Sequence, residues 1–302
     1  MPENLGFWPP IQCAGCGLAP AGPKDAVMMA RRVSLAPLSL PDLGPAAFVR
    51  AAGQAGYRHV ALRLIGGDPV NPPVDMACLV RSLAELPELR RILDGEGLSV
   101  AELEVLLIAA DTDIAASRPM LEMGAVLGAR HLVVGIADPD SLRAADRLAD
   151  AAALARDHGM VIELEFVPYT ELKTIGAALA LIEASGATDA AILVDALHLA
   201  RSGGDAAAVA AVPRERLRCL QLCDATRAAP ANLIKESRTH RLAPGAGELD
   251  LRGMLRAMPA DAALSVEIPD IARLSAIGPV TYATELRQAV ECLLETIEEE
   301  AA

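Results

Sequence analysis

Four side chains that carry oxygen lie at or near the ends of apolar runs in the second half of this chain. Met160 to Glu165 ends in Glu163-Leu164-Glu165, Ala190 to Val194 runs into Asp195, Arg216 to Leu222 carries Gln221, and Ala262 to Glu267 ends in Glu267. A short unbroken apolar run reads as a strand buried on both faces. An acid at its last position emerges where a parallel strand meets its loop, and α/β folds place their sites at that end. The spacings are 30, 26 and 46 residues. The first two fit one βα unit each, and the third is a unit lengthened by an irregular stretch, Asp224 to Gly247. Three carboxylates and one amide oxygen suit a hard or borderline divalent ion. Without a cation, three negative charges at one place repel strongly. Glu165, Asp195, Gln221 and Glu267 are therefore the predicted metal ligands. Each has an ordinary reading as a helix cap or an Arg partner, and it is their coincidence at consecutive strand ends that favours the metal.

Other residues gather around this set. Glu163 points the same way as Glu165, because strand side chains alternate with period two, and lies one layer deeper. It is expected to sit behind the metal ligands or to be paired within the core. Asp224 is expected behind the ligands, orienting Gln221 or a substrate hydroxyl. His198 lies one helical turn past Asp195 and is the predicted substrate contact. The stretch after Asp224 also carries Arg227, Lys235, Arg238 and Arg241. Arg238 and Arg241 read as a clamp for an acidic or polyhydroxy substrate, whereas Arg227 and Lys235 read equally well as solvated surface. Arg63, ending the second strand, and Glu104, in the third, complete the mouth as substrate contacts.

The elements that must position these groups alternate throughout. Strands are expected at Arg32–Leu38, Tyr57–Leu64, Leu98–Leu106, Arg130–Gly135, Met160–Glu165, Ala190–Asp195, Arg216–Leu222 and Ala262–Glu267. Helices are expected at Pro41–Ala55, Val74–Gly95, Asp111–Gly128, Ser141–His158, Thr174–Ser185, Asp205–Val212, Leu249–Ala257 and Thr284–Glu300. Eight right-handed βα repeats close into a (β/α)8 TIM barrel, here over residues 28–302. An open doubly wound sheet is disfavoured, because Leu38-Ser39-Leu40-Pro41 after the first strand is not a glycine-rich phosphate loop. Residues 1–27 are rich in Gly, Pro and Ala without periodicity. They read as a loose extension or as sequence upstream of a true start at Met28 or Met29, with no signal-peptide pattern.

Composition narrows the partners. The 302 residues carry a net charge of −13 and 2% aromatics. An acidic chain without a Lys/Arg run is not built for nucleic acid, and no window is apolar enough to span a membrane. The six cysteines include one lone CxxC, Cys13 and Cys16, so a reduced cytoplasmic protein with unpaired thiols is expected rather than a zinc finger. The apolar face of the last helix covers the barrel and leaves room for a homodimer contact.

Five segments carry a resemblance: Leu164-Glu165-Phe166-Val167-Pro168, Val194-Asp195-Ala196-Leu197-His198, Gln221-Leu222-Cys223-Asp224-Ala225, Pro244-Gly245-Ala246-Gly247-Glu248-Leu249-Asp250 and Val266-Glu267-Ile268-Pro269. In this order they resemble the xylose isomerase-like TIM-barrel superfamily, in its sugar phosphate isomerase/epimerase branch. The resemblance implies one divalent metal held by Glu165, Asp195, Gln221 and Glu267. The oxygen donors make Mn²⁺ or Mg²⁺ the first expectation and Co²⁺ or Zn²⁺ the second; Gln221 stands where many relatives have His, which leaves the identity of the ion open. It implies that Glu165 and Glu267 act as the catalytic proton-transfer pair and that His198 contacts the substrate oxygen. The expected activity is isomerisation or epimerisation of a keto-sugar or related hydroxy-ketone through an enediolate. The alternative is a dehydratase or lyase acting on a keto-polyol or 3-dehydro acid.

Overall fold

The structure, a computed structural model, describes residues 31–64, 79–80 and 83–301. The expected N-terminal extension lies outside these residues. Eight barrel strands follow one another: β1 (Val33–Leu35), β2 (His59–Leu64), β3 (Ser99–Ile108), β4 (His131–Ile136), β5 (Val161–Glu165), β6 (Ala191–Asp195), β7 (Leu217–Leu222) and β8 (Ala263–Val266). Each pairs in parallel with its neighbour in the sequence. Val33, Ser34 and Leu35 of β1 pair with Leu264, Ser265 and Val266 of β8, which closes the sheet into a (β/α)8 barrel.

Most departures from the expected boundaries trace to proline or to capping. β1 stops at Leu35 because Pro37, without an N–H, opens a 3₁₀ turn over Pro37–Ser39. The first helix starts at Pro45 and the second, Leu86–Glu96, has a proline in its first turn. Part of the helix expected from Val74 lies outside the described residues, and Leu79–Val80 is instead a short strand paired with Arg63 and Leu64 of β2. The helix expected from Asp111 begins at Arg118, after a 3₁₀ turn over Ile114–Ser117. The stretch expected to be irregular contains a helix, Leu233–Thr239, capped by the Asn232 side chain. A further helix, Ile271–Ile277, precedes the last one, Pro279–Ala301. Among the described residues no helix is long and apolar enough to cross a membrane. Cys219 and Cys223 are free, but Cys292 is disulfide-bonded, which corrects the expectation of unpaired thiols throughout.

The main hydrophobic core lies between sheet and helices and is almost wholly aliphatic, with Phe48, Tyr57, Phe166 and Tyr282 as its aromatic members. All five residues of β6 are buried, as expected of a strand covered on both faces. Polar residues pair two apart on four of the other strands: Glu102 with Glu104 on β3, Glu163 with Glu165 on β5, Cys219 with Gln221 on β7, and Ser265 with Glu267 at β8. Members of such a pair face the same way, one pleat repeat apart along the strand.

Candidate active site and metal centre

Strand β6 runs directly into the helix Ala196–Arg201, with Asp195 as the junction. Its Oδ1 accepts the backbone N–H of His198 at 2.8 Å, an N-cap bond that holds acid and histidine in register. Its Oδ2 accepts from Arg241 Nη1 at 2.5 Å. Arg241 Nη2 lies 2.8 Å from Glu267 Oε2, and its Nε donates to the Ser237 carbonyl at 2.7 Å. Arg241 is only 2% exposed. It was expected as a substrate clamp, and the structure instead spends its guanidinium on two of the four predicted ligands. Arg241 also ties the loop after β7 to the strand ends.

Glu165 is the acid most open to the mouth, at 16% side-chain exposure, and its Oε1 lies 3.9 Å from His198 Nε2. One ligand atom each from Glu165, Asp195 and His198 lie within 4.8 Å of one another, a spacing that could hold a metal ion. Burial, then the charges of Glu267 and Asp195, push the Glu165 carboxyl well above the ordinary range. Burial also raises Glu267, with Arg241 opposing. Burial would raise Asp195 too, but Arg241 and His198 hold it below its usual value. Burial lowers His198 to about 4, so its imidazole is neutral at pH 7. The Gln221 Oε1 atom is buried without a hydrogen-bond partner.

Arg63 and Glu104 meet at the rim, 3.5 Å apart. Neither Glu104 oxygen has a hydrogen bond, and burial with the Glu267 charge raises its carboxyl to about 8. Arg238 is half-buried on the helix Leu233–Thr239. Asp224 departs from its expected role of orienting Gln221 or substrate. Its carboxylate accepts backbone N–H groups from Ala225, Gly245, Gly247 and Leu249, so it fastens the glycine-rich loop. Glu163 lies below the mouth, 2.9 Å from His131 Nδ1, and is core-paired rather than behind a ligand.

Sequence reasoning missed Tyr169, whose ring stands edge-on to His198 at 5.7 Å between centroids. Its hydroxyl bonds Ser237 Oγ at 2.6 Å, joining the loops after β5 and β7. A tyrosine four residues beyond Glu165, in a chain with so few aromatics, was the available signal.

The donor set fits a divalent ion. Glu165, Asp195 and Glu267 carry more negative charge than Arg241 neutralises, and Gln221 Oε1 is an acceptor without a donor. Arg241 already occupies one oxygen of Asp195 and one of Glu267, so it competes with any ion for both.

A family model described as xylose isomerase-like TIM barrel matches residues 49–296. The chain belongs to this family. The IOLI protein, solved with a zinc atom bound, is 16% identical with a TM-score of 0.73, covering 88% of this chain and 99% of that one. An L-ribulose 3-epimerase is 20% identical with a TM-score of 0.65, covering 90% and 97%. The probable 3-DHS dehydratase AsbF of Bacillus anthracis is 15% identical with a TM-score of 0.62, covering 85% and 97%. The chain spans 42% of a xylose isomerase-like TIM barrel/4-hydroxyphenylpyruvate dioxygenase fusion protein, at 18% identity, a TM-score of 0.72 and 86% coverage of this chain. No curated protein sequence matches. At these identities the likeness carries the fold.

Proposed function

We propose that the protein is a divalent-metal-dependent isomerase or epimerase acting on a keto-sugar or related hydroxy-ketone, by proton transfer next to a carbonyl. The observation that carries this reading is the meeting of Glu165, Asp195 and His198 at one mouth, with Glu267 joined to Asp195 through Arg241, beside the unpartnered Gln221 oxygen. Glu165, Asp195, Gln221 and Glu267 would hold the ion, with His198 beside them. An ion there, Mn²⁺ or Mg²⁺ before Co²⁺ or Zn²⁺, supplies Lewis-acid stabilisation of the developing oxyanion.

The chain's own groups do the rest. Glu165 and Glu267 differ in environment: Arg241 bonds Glu267 directly, whereas Glu165 lies nearest His198 and is pushed well above the ordinary range by burial and by the Glu267 and Asp195 charges. Two carboxyls held apart in this way are suited to opposite proton duties. Glu267 takes the proton next to the carbonyl, and Glu165 returns one. His198, neutral and fixed by its backbone bond to Asp195, offers Nε2 to a substrate oxygen. Tyr169 limits the movement of that imidazole.

A dehydratase acting on a keto-polyol or 3-dehydro acid is the second reading. Arg63, one-quarter exposed beside Glu104, favours it by presenting a guanidinium where a substrate carboxylate would lie. Both reactions begin with the same proton abstraction. Incubation of the metal-loaded protein with ketoses and 3-dehydro acids in D₂O separates them. Deuterium uptake at unchanged composition supports the isomerase, loss of water supports the dehydratase, and no exchange with either class refutes both.

A further inference from the structure

The layer beneath the mouth holds groups that this chemistry leaves unused. Glu102, Glu163 and Cys219 stand two residues below Glu104, Glu165 and Gln221 on β3, β5 and β7, roughly 6–7 Å deeper along the strands. They are 1%, 1% and 0% exposed. One carboxylate oxygen of each Glu and the Cys219 sulfur lie within 4.8 Å of one another. The Cys219 thiol donates to Glu102 Oε1 at 3.4 Å. Glu102 Oε2 and Glu163 Oε2 are buried without any hydrogen-bond partner. Folded proteins rarely leave buried carboxyl oxygens unpartnered. His131, at the start of β4, places Nδ1 2.9 Å from Glu163 Oε1, and its side chain is 15% exposed.

We propose that Glu102, Glu163 and Cys219 form a second divalent-cation site in the barrel floor, for a thiophilic ion of the Zn²⁺ or Co²⁺ class, with His131 at its outer edge. A tetrahedral ion binds sulfur at about 2.3 Å and carboxylate oxygen at about 2.0–2.2 Å, which sets the two ligands roughly 3.5 Å apart. The Cys219–Glu102 distance of 3.4 Å meets that requirement before any ion arrives. Charge points the same way. Two carboxylates and a thiolate carry three negative charges, most of which a divalent ion offsets. Coordination releases the thiol proton, as for any cysteine ligand. The mouth offers oxygen donors and suits a harder ion, so one barrel would hold two chemically distinct sites.

The test is a Co²⁺ titration of the full, metal-stripped chain, followed by equilibrium dialysis and by near-ultraviolet thiolate-to-cobalt charge-transfer absorption. Wild type should show the band and bind two equivalents. Cys219→Ser should lose the band and one equivalent. Cys223→Ser, which changes the free thiol beside Arg241 at the mouth, should keep both. No band in wild type, a band undiminished in Cys219→Ser, or a band lost in Cys223→Ser each overturns the proposal. If Cys219→Ser does not fold, Glu102→Gln replaces it with the same expectation for stoichiometry, and the wild-type spectrum remains decisive. Failure of the mouth to bind metal would lower the wild-type stoichiometry to one and leave the band in place, so the two readings fail separately.

Discussion

Replacing Arg241 with methionine should destabilise the metal-free protein by about 3–5 kcal/mol, the usual cost of removing one partner from a buried ion pair. The structure sets the reasons. The guanidinium contacts Asp195 Oδ2 at 2.5 Å, Glu267 Oε2 at 2.8 Å and the Ser237 carbonyl at 2.7 Å. Asp195 and Glu267 are 0% and 6% exposed, so water cannot replace what is lost. Methionine has nearly the same length and no charge, which leaves two buried carboxylates facing each other. At roughly 2–4 °C per kcal/mol for a large domain, Tm should fall by about 6–20 °C. A divalent ion should then take over the balancing role. At 100 times its Kd it returns about 2.7 kcal/mol, so Mn²⁺ should raise Tm more in Arg241→Met than in wild type. Thermal and urea unfolding followed by circular dichroism, with chelator and with Mn²⁺, measure both effects. A variant as stable as wild type in chelator would refute the argument that Arg241 neutralises these acids.

Glu104→Gln should flatten the pH dependence of stability. Burial and Glu267 raise the Glu104 carboxyl to about 8, so the folded state holds a proton that the unfolded state releases near its ordinary value. The stability this contributes is present below about pH 4.5 and is lost as pH rises towards 8, at up to about 1.4 kcal/mol per pH unit. Urea midpoints of the metal-free proteins from pH 5 to 8.5 check this, and equal slopes would count against it. Asp224→Ala leaves four backbone N–H groups without their acceptor and should cost roughly 3 kcal/mol, read from the same unfolding curves. Gly247→Ala should be comparably damaging, because an added Cβ would meet the Ala225 carbonyl at 2.5 Å and the Asp224 carboxylate as well. Tyr169→Phe loses the 2.6 Å bond to Ser237 and should raise KM about five-fold with a smaller change in kcat, checked by steady-state kinetics on the substrate found in the D₂O screen.

The barrel was legible because each strand is a short apolar run between amphipathic helices, and an acid at the end of such a run has few other places to go. Glu165, Asp195 and Glu267 could therefore be assigned to one mouth from spacing alone. The partner of Asp195 and Glu267 could not. Arg241 comes from a loop whose sequence showed no period, and the helix Leu233–Thr239 is too short to give one. The loop's path is set by Asp224, whose four backbone bonds are a tertiary device with no local pattern. The polar floor was half legible. Glu163 was expected one layer down, but Glu102, His131 and Cys219 join it through strand register, which no single strand encodes.

The direct passage from β6 into the helix at Asp195 has a consequence for how this barrel can diverge. No loop residue separates strand from helix there, and one carboxylate serves both the helix start and the charge cluster. That wall of the mouth has no slack to absorb an insertion or a change of direction. The adjacent wall, between Asp224 and Glu248 after β7, is long, and side chains rather than a direct strand-to-helix junction hold it: the Asp224 carboxylate, Arg241, and the Tyr169–Ser237 and Arg201–Glu236 contacts. New substrate shapes are therefore most readily accommodated by remodelling that wall, with the Asp195 corner as the fixed datum against which each variant is built.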